Sequence, residues 1–281
     1  IDFSHPEVRK EVIRWGKWVV NELKLDGFRM DAVKHISEGF IKEFLDEVRS
    51  VYGQDFYSVG EYWKDDLGTL KEYLESLEYT TDLFDVGLHF NFHEASVRGK
   101  DFDLRTIFDN TILMSDSMQA VSFVDNHDSQ KGSALESQIE SWFKPHAYAI
   151  ILLAERGYPC LFYGDYYGVG GQESEHRWII DQLLHVRKHY AYGGEIDYFD
   201  DPDIVGIYRT GRENDLNTGC AAILSNNEDG EKVIEVGQNR TGQVWKEVTG
   251  SGFDNVVIDD SGFAAFKVKA GKISVWVPEE K

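Results

Sequence analysis

Leu25-Asp26-Gly27-Phe28-Arg29-Met30-Asp31-Ala32-Val33-Lys34-His35 is the stretch whose reading decides the fold. A short apolar strand, 26–31, ends on a carboxylate. Side chains alternate along a strand, so Arg29 and Asp31 share one face. The acid reads as buried, and a buried acid beside a guanidinium stays ionised. Such a carboxylate at a strand end is either a nucleophile or half of a structural ion pair. On these residues alone both readings stay open.

Upstream, Ser4-His5-Pro6-Glu7 reads as a capping box with a proline in the first turn. Val8, Val12, Trp15, Val19 and Leu23 recur at helical spacing, which predicts a helix over 6–24 with Trp15 and Trp18 in the core. Downstream, a helix over 36–52 precedes a strand at 56–60 that ends on Glu61, with Tyr62 and Trp63 just beyond. A helix at 66–78, a strand at 83–88 and helical stretches at 89–97 and 103–114 follow. A strand at 120–124 ends in Asp125-Asn126-His127-Asp128. A helix at 138–156, a strand at 160–163 and a helix at 174–190 complete this part.

The strands are short and apolar throughout, and they alternate with helices. That pattern means parallel strands covered on both faces. The candidate residues lie at the C-terminal ends of strands, where a (β/α)₈ barrel carries its active site. Five strand–helix units are countable, so the expected fold class is α/β, a partial (β/α)₈ TIM barrel over residues 1–195. Beyond it, 204–209, 218–225, 231–236, 243–249, 254–258, 263–269 and 273–277 have strand character. Turn signals such as Asp229-Gly230 and Gly250-Ser251-Gly252 separate them. Residues 196–281 therefore read as an all-β sandwich domain.

Composition narrows the partners. The chain has 281 residues and a net charge of −21, from 29 basic and 50 acidic residues, which argues against nucleic acid or an anionic membrane. Aromatic residues reach 14%, a surplus that suits a sugar cleft or a large core. Cys160 and Cys220 follow no metal or disulfide spacing and read as small buried hydrophobes. No apolar run approaches a membrane span. Ile1-Asp2-Phe3 reads as the tail of a strand or loop, so the chain is expected to begin inside a longer protein. Location stays open between secreted and cytoplasmic.

Asp31, Glu61 and Asp128 are three acids at strand ends. Retaining glycoside hydrolysis needs two carboxyl groups about 5–5.5 Å apart, one to attack the anomeric carbon and one to move protons. Glu61 suits the second role, since Tyr62 and Trp63 follow it with rings that would desolvate it. Asp128 would stabilise oxocarbenium-like charge or hold sugar hydroxyls, with His127 as a donor to the same hydroxyls.

Asp-Gly-Phe-Arg-Met-Asp-Ala-Val-Lys-His at 26–35, Gly-Glu-Tyr-Trp at 60–63 and Phe-Val-Asp-Asn-His-Asp at 123–128 occur in that order. They resemble the second, third and fourth signature regions of glycoside hydrolase family 13, the α-amylase family. Trp142-Phe-Lys-Pro-His-Ala-Tyr-Ala, Gly157-Tyr-Pro, Phe162-Tyr-Gly-Asp, Tyr190-Ala-Tyr-Gly and Asp203-Ile-Val-Gly resemble the liquefying-type bacterial members, so the likeness spans the chain. It implies that Asp31 is the nucleophile, Glu61 the general acid/base and Asp128 the transition-state stabiliser. It further implies that Arg29 orients Asp31 and that His127 contacts the sugar at the cleavage point. Lys34, His35 and Trp63 would line the leaving-group side. Calcium is the implied cofactor, with the His35 carbonyl as a ligand and a weaker second site at Asp203 and Asn226.

The sequence departs from the family pattern as well. The first signature region, the inserted calcium-binding domain and barrel strands one to three are absent, so the likeness covers about strands 4–8 and the C-terminal β domain. Ser4 stands where relatives often carry a metal-binding Asp, and 168–177 is short. The expected activity is hydrolysis of internal α-1,4-glucosidic bonds in starch, glycogen or maltooligosaccharides by a monomer. The alternatives are a fragment that is inactive alone and binds glucan or a complementary fragment, and a transglycosylating α-glucan enzyme.

Overall fold

The computed structural model of the protein describes residues 1–279. Helix α1 (Pro6–Leu23) leads to β1 (Gly27–Met30), α2 (Glu38–Tyr52), β2 (Tyr57–Gly60), α3 (Leu67–Ser76), β3 (Asp82–Phe84) and α4 (Val86–Arg98). A short α5 (Ile112–Ser115), β4 (Ala120–Phe123), α6 (Lys144–Leu153), β5 (Tyr158–Cys160), a short α7 (Tyr163–Tyr167) and α8 (Arg177–His189) follow. Strands β1 to β5 stand in chain order in one sheet. The registers of β1 with β2, β2 with β3 and β3 with β4 are parallel. Parallel neighbours joined through helices make the wall of a partial barrel, as expected.

Local chemistry explains the ends of these elements. Asp66 caps α3 by accepting the Thr69 N–H at 2.8 Å. Gly53, at φ +102°, ends α2 in backbone that favours glycine. Helix α6 is buried on every face from Lys144 to Leu153, so it is a core helix and carries no polar stripe.

Several local expectations fail, and the strands read at 83–88 and 160–163 stand at Asp82–Phe84 and Tyr158–Cys160. Ser4 does not cap α1: its N–H and hydroxyl donate to Asp2 Oδ1 at 2.9 and 2.7 Å, leaving His5 in the cap position. The helix expected over 103–114 breaks into a single turn at Leu104–Thr106 and α5. Asp103 and Thr111 each cap a separate turn, and Asn110 takes left-handed backbone between them. Trp15 and Trp18 are 55% and 56% exposed, not core. Helix α1 buries Gly16 and Val20 instead, because only a glycine fits at position 16 against the Phe44 ring.

Packing divides the chain into two compact units, Ile1–Leu88 with Asn110–Ser122, and His89–Asp109 with Phe123–Lys281. The first carries β1 to β3. The second includes the antiparallel strands β6 (Glu195–Tyr198), β7 (Ile204–Arg209), β8 (Cys220–Ser225), β9 (Gly230–Glu235), β10 (Val244–Glu247), β11 (Val256–Val257), β12 (Phe263–Val268) and β13 (Ile273–Pro278). They form a six-stranded sheet, β11-β10-β13-β8-β7-β6, and a two-stranded one, β12-β9. One core fills both sheets, with Tyr208, Trp245, Phe266 and Trp276 fully buried. The Phe266 ring lies 5.5 Å from Trp245 and 5.7 Å from Trp276. Strand β6 was not expected, since Glu195-Ile-Asp-Tyr shows weak strand character. Among the described residues no helix is long and apolar enough to cross a membrane.

Candidate active site

In the first unit, the parallel register pairs Arg29 with Val59 and Met30 with Gly60. The Glu61 N–H donates to Met30 O at 2.9 Å, which brings Glu61 to the end of β1. Arg29 donates from Nη1 to Asp31, and its Nη2 lies 2.9 Å from Glu61 Oε1. The second contact is an ion pair without an aligned hydrogen bond, for Oε1 has no hydrogen-bond partner. One guanidinium thus holds both acids. The sequence predicted the contact with Asp31; the contact with Glu61 depends on strand pairing.

The two acids differ in setting. The Glu61 side chain is 6% exposed and that of Asp31 is 70% exposed. Asp31 was read as a buried acid and is exposed instead, because β1 is the edge of the sheet order, as a likeness to about strands 4–8 implies. A cleft of about 230 Å³ lies beside it, lined by Phe3, Trp15, Phe28, Met30 and Phe40. Ala32 takes left-handed backbone at φ +47°, a conformation that costs a non-glycine residue energy. It is held there by its N–H on Glu61 Oε2 at 3.3 Å and by the Val33 N–H on Glu61 O at 3.0 Å. That turn sends Lys34 and His35 outward. Lys34 Nζ donates to Trp63 O at 3.0 Å, Trp63 is half-buried, and Tyr62 packs edge-on against Tyr73 at 4.9 Å.

The second unit holds His127 and Asp128. His127 is exposed, and its Nε2 lies 3.4 Å from Asp128 Oδ2. Their loop is tied by short-range bonds. Asn126 Oδ1 accepts the N–H groups of Asp128 and Ser129, each at 2.8 Å. The Asn126 N–H donates to Ser129 Oγ at 2.9 Å, and the Ser129 hydroxyl donates to Asp125 Oδ1 at 2.7 Å. Behind Asp125 lies a buried ion cluster that the sequence reading missed. Lys144 Nζ is 2.9 Å from Asp125 Oδ2 and also bonds Asp165, whose Oδ2 accepts the Tyr148 hydroxyl at 2.7 Å. Burial pushes the Asp125 carboxyl up to about 6 although Lys144 pulls it down. Burial opposes the Lys144 charge, yet the two carboxylates outweigh it and hold the ammonium above its ordinary value. A lysine opening an otherwise apolar helix was the available signal. Two larger clefts in this unit, about 510 and 490 Å³, are lined by neither His127 nor Asp128.

The calcium expectation rests on the His35 carbonyl and is met by no side-chain cluster among the described residues. Calcium takes six to eight oxygens. His35 is an exposed single-turn residue, and among the described residues no group of three or more His, Cys, Asp or Glu could hold a metal ion. Asn226 turns its Nδ2 to Gly99 O and Phe102 O at 3.0 and 2.8 Å, and Asp203 Oδ2 accepts from Asn227 at 3.2 Å. Asn226 Oδ1 is buried without a hydrogen-bond partner.

Residues 1–269 match the model of the α-amylase catalytic domain. The chain is 44% identical over 281 residues to an α-amylase of Bacillus licheniformis, covering 99% of this chain and 55% of that protein. It is 45% identical to a glucan 1,4-α-maltohexaosidase of Bacillus sp. (strain 707), covering 99% and 54%. It is 40% identical to the cytoplasmic α-amylase of Escherichia coli, covering 100% and 58%. The chain therefore spans about half the length of these relatives. Among solved structures it superposes on an α-amylase from Geobacillus thermoleovorans complexed with acarbose. The TM-score is 0.76 at 20% identity, covering 100% of this chain and 66% of that one, a likeness of fold.

Proposed function

This chain belongs to the α-amylase family, glycoside hydrolase family 13, and from that membership we propose that the full-length protein hydrolyses internal α-1,4-glucosidic bonds of starch or glycogen with retention. In this reading Asp31 attacks the anomeric carbon. Glu61 gives its proton to the departing glycosidic oxygen, leaving a glycosyl ester on Asp31. Glu61 then takes a proton from water, which opens the ester. Asp128 stabilises positive charge on the sugar ring, and His127 donates to its hydroxyls. Lys34, His35 and Trp63 serve the leaving-group side.

The observation that carries the proposal is the Arg29 guanidinium with one carboxylate on each Nη. It keeps a buried acid and an exposed one close together, and retention requires carboxyls at short spacing. The test is proton NMR of the first products from maltoheptaose with the full-length protein. Products released as the α anomer support the proposal. Release as the β anomer, or no hydrolysis, overturns it. Chains longer than the substrate would move the activity to transglycosylation.

A second reading concerns residues 1–281 by themselves: a part-barrel, 1–195, with a β domain, 196–281, inactive alone and able to bind glucan or a complementary segment. It is favoured by the exposure of Asp31 on an edge strand, since catalysis needs its groups held to about 0.5 Å. Robust starch hydrolysis by residues 1–281 alone would sink it.

A further inference from the structure

We propose that Lys144 is a positioning residue for the His127–Asp128 loop, acting through the buried relay Asp125–Ser129–Asn126. The inference rests on the reading of Asp128 and His127 as sugar-facing groups.

Lys144 is only 5% exposed and lies between two buried carboxylates. A buried ion cluster of this kind is a poor source of stability, and well-packed apolar side chains often replace one without loss. Its geometry points elsewhere. Ser129 has one hydroxyl proton. At 2.7 Å from Asp125 Oδ1, against 3.4 Å from Asn126 O, that proton goes to Asp125. The Ser129 oxygen is then free to accept the Asn126 N–H. Asn126 in turn presents Oδ1 to the Asp128 N–H. An ionised Asp125 can only accept, so it fixes this order. A protonated Asp125 can donate as well as accept, so the Ser129 proton is no longer held in one direction. Lys144 is the cation in contact with Asp125. The other groups around the cluster are Asp165 with Tyr148 and, at longer range, His89 and His176. With burial already pressing Asp125 toward its neutral form, removing the ammonium releases the relay from its fixed order.

The test uses the full-length protein with K144M, the double variant D125N/K144M, and S129A. K144M is expected to lower kcat about 10–100-fold at pH 7, the scale of an ångström misplacement, with KM within about twofold. Activity should recover at alkaline pH as Asp125 ionises. D125N/K144M is expected to regain most of the loss at pH 7, because an amide oxygen accepts the Ser129 proton without a charge. S129A should match K144M in kcat and show no alkaline recovery. Hydrogen exchange at the Asp128 amide reads the same relay without substrate. Protection should fall at least tenfold in K144M and return in the double variant. Unchanged exchange and kcat in K144M overturn the proposal. So does a folded double variant no better than K144M. An inactive wild type with the exchange pattern intact would instead count against the hydrolase reading alone.

Discussion

Acidification from pH 7 to pH 5 is expected to weaken the protein through His89, and the variant H89N isolates the effect. The imidazole is fully buried, with Nδ1 2.7 Å from Val124 O, Nε2 2.9 Å from Ser137 Oγ and the ring stacked on Phe123 at 5.0 Å. A carbonyl only accepts, so Nδ1 carries the proton. Burial, aided by the positive charge of Lys144, holds this histidine down to about 4 from an ordinary 6.5. A depressed value in the folded state gives stability that is present above 6.5 and lost as pH falls toward 4. At pH 5 the unfolded chain has taken up its proton and the folded chain almost none, a loss of about 2 kcal/mol relative to pH 7. His146, also pushed down to about 4 by burial, adds to the trend. Asp85 and Asp125, pushed up to about 6, oppose it by gaining stability as pH falls below 6. The comparison of two proteins cancels these other groups. Asn can keep the bond to Val124 and does not titrate, so H89N costs about 2–4 kcal/mol at pH 7 through its lost ring. The gap between wild type and H89N in urea unfolding is expected to shrink by about 2 kcal/mol at pH 5. A gap that stays constant refutes the buried neutral imidazole.

The other predictions are simpler to read. E61Q in the full-length protein is expected to cut kcat by about 10²–10⁴-fold, the range of one general acid/base, while the melting temperature holds. R29M removes the cation shared by Asp31 and Glu61 and is expected to abolish turnover; full activity with R29M would remove the support for paired carboxylates. N226A strips the amide from Gly99 O and Phe102 O and is expected to cost about 1–3 kcal/mol in urea unfolding. G87A places a Cβ 2.8 Å from Asn110 O and is expected to cost about 1–3 kcal/mol by overpacking.

Much of the wall was legible in the residues. Strands at Gly27–Met30, Tyr57–Gly60 and Ala120–Phe123 were readable because each is a short apolar run closed by a polar strand end. Trp15 and Trp18 were misread for a physical reason: periodicity shows which face of a helix is apolar but not what covers that face. The missing helix at 103–114 has a similar cause, since Asp103, Asn110 and Thr111 bond their own neighbouring backbone and outcompete the helix.

The sequence by itself determined the alternation of strands and helices, the family, and the three acids at strand ends. Each of those is written in contiguous residues. Only the tertiary structure decided that the Asp31 side chain stands exposed, that Arg29 serves Glu61 as well as Asp31, and that Lys144 sits against Asp125 and Asp165. These are contacts between side chains 19 to 32 positions apart. Strand register and burial set them, and no local pattern encodes either one.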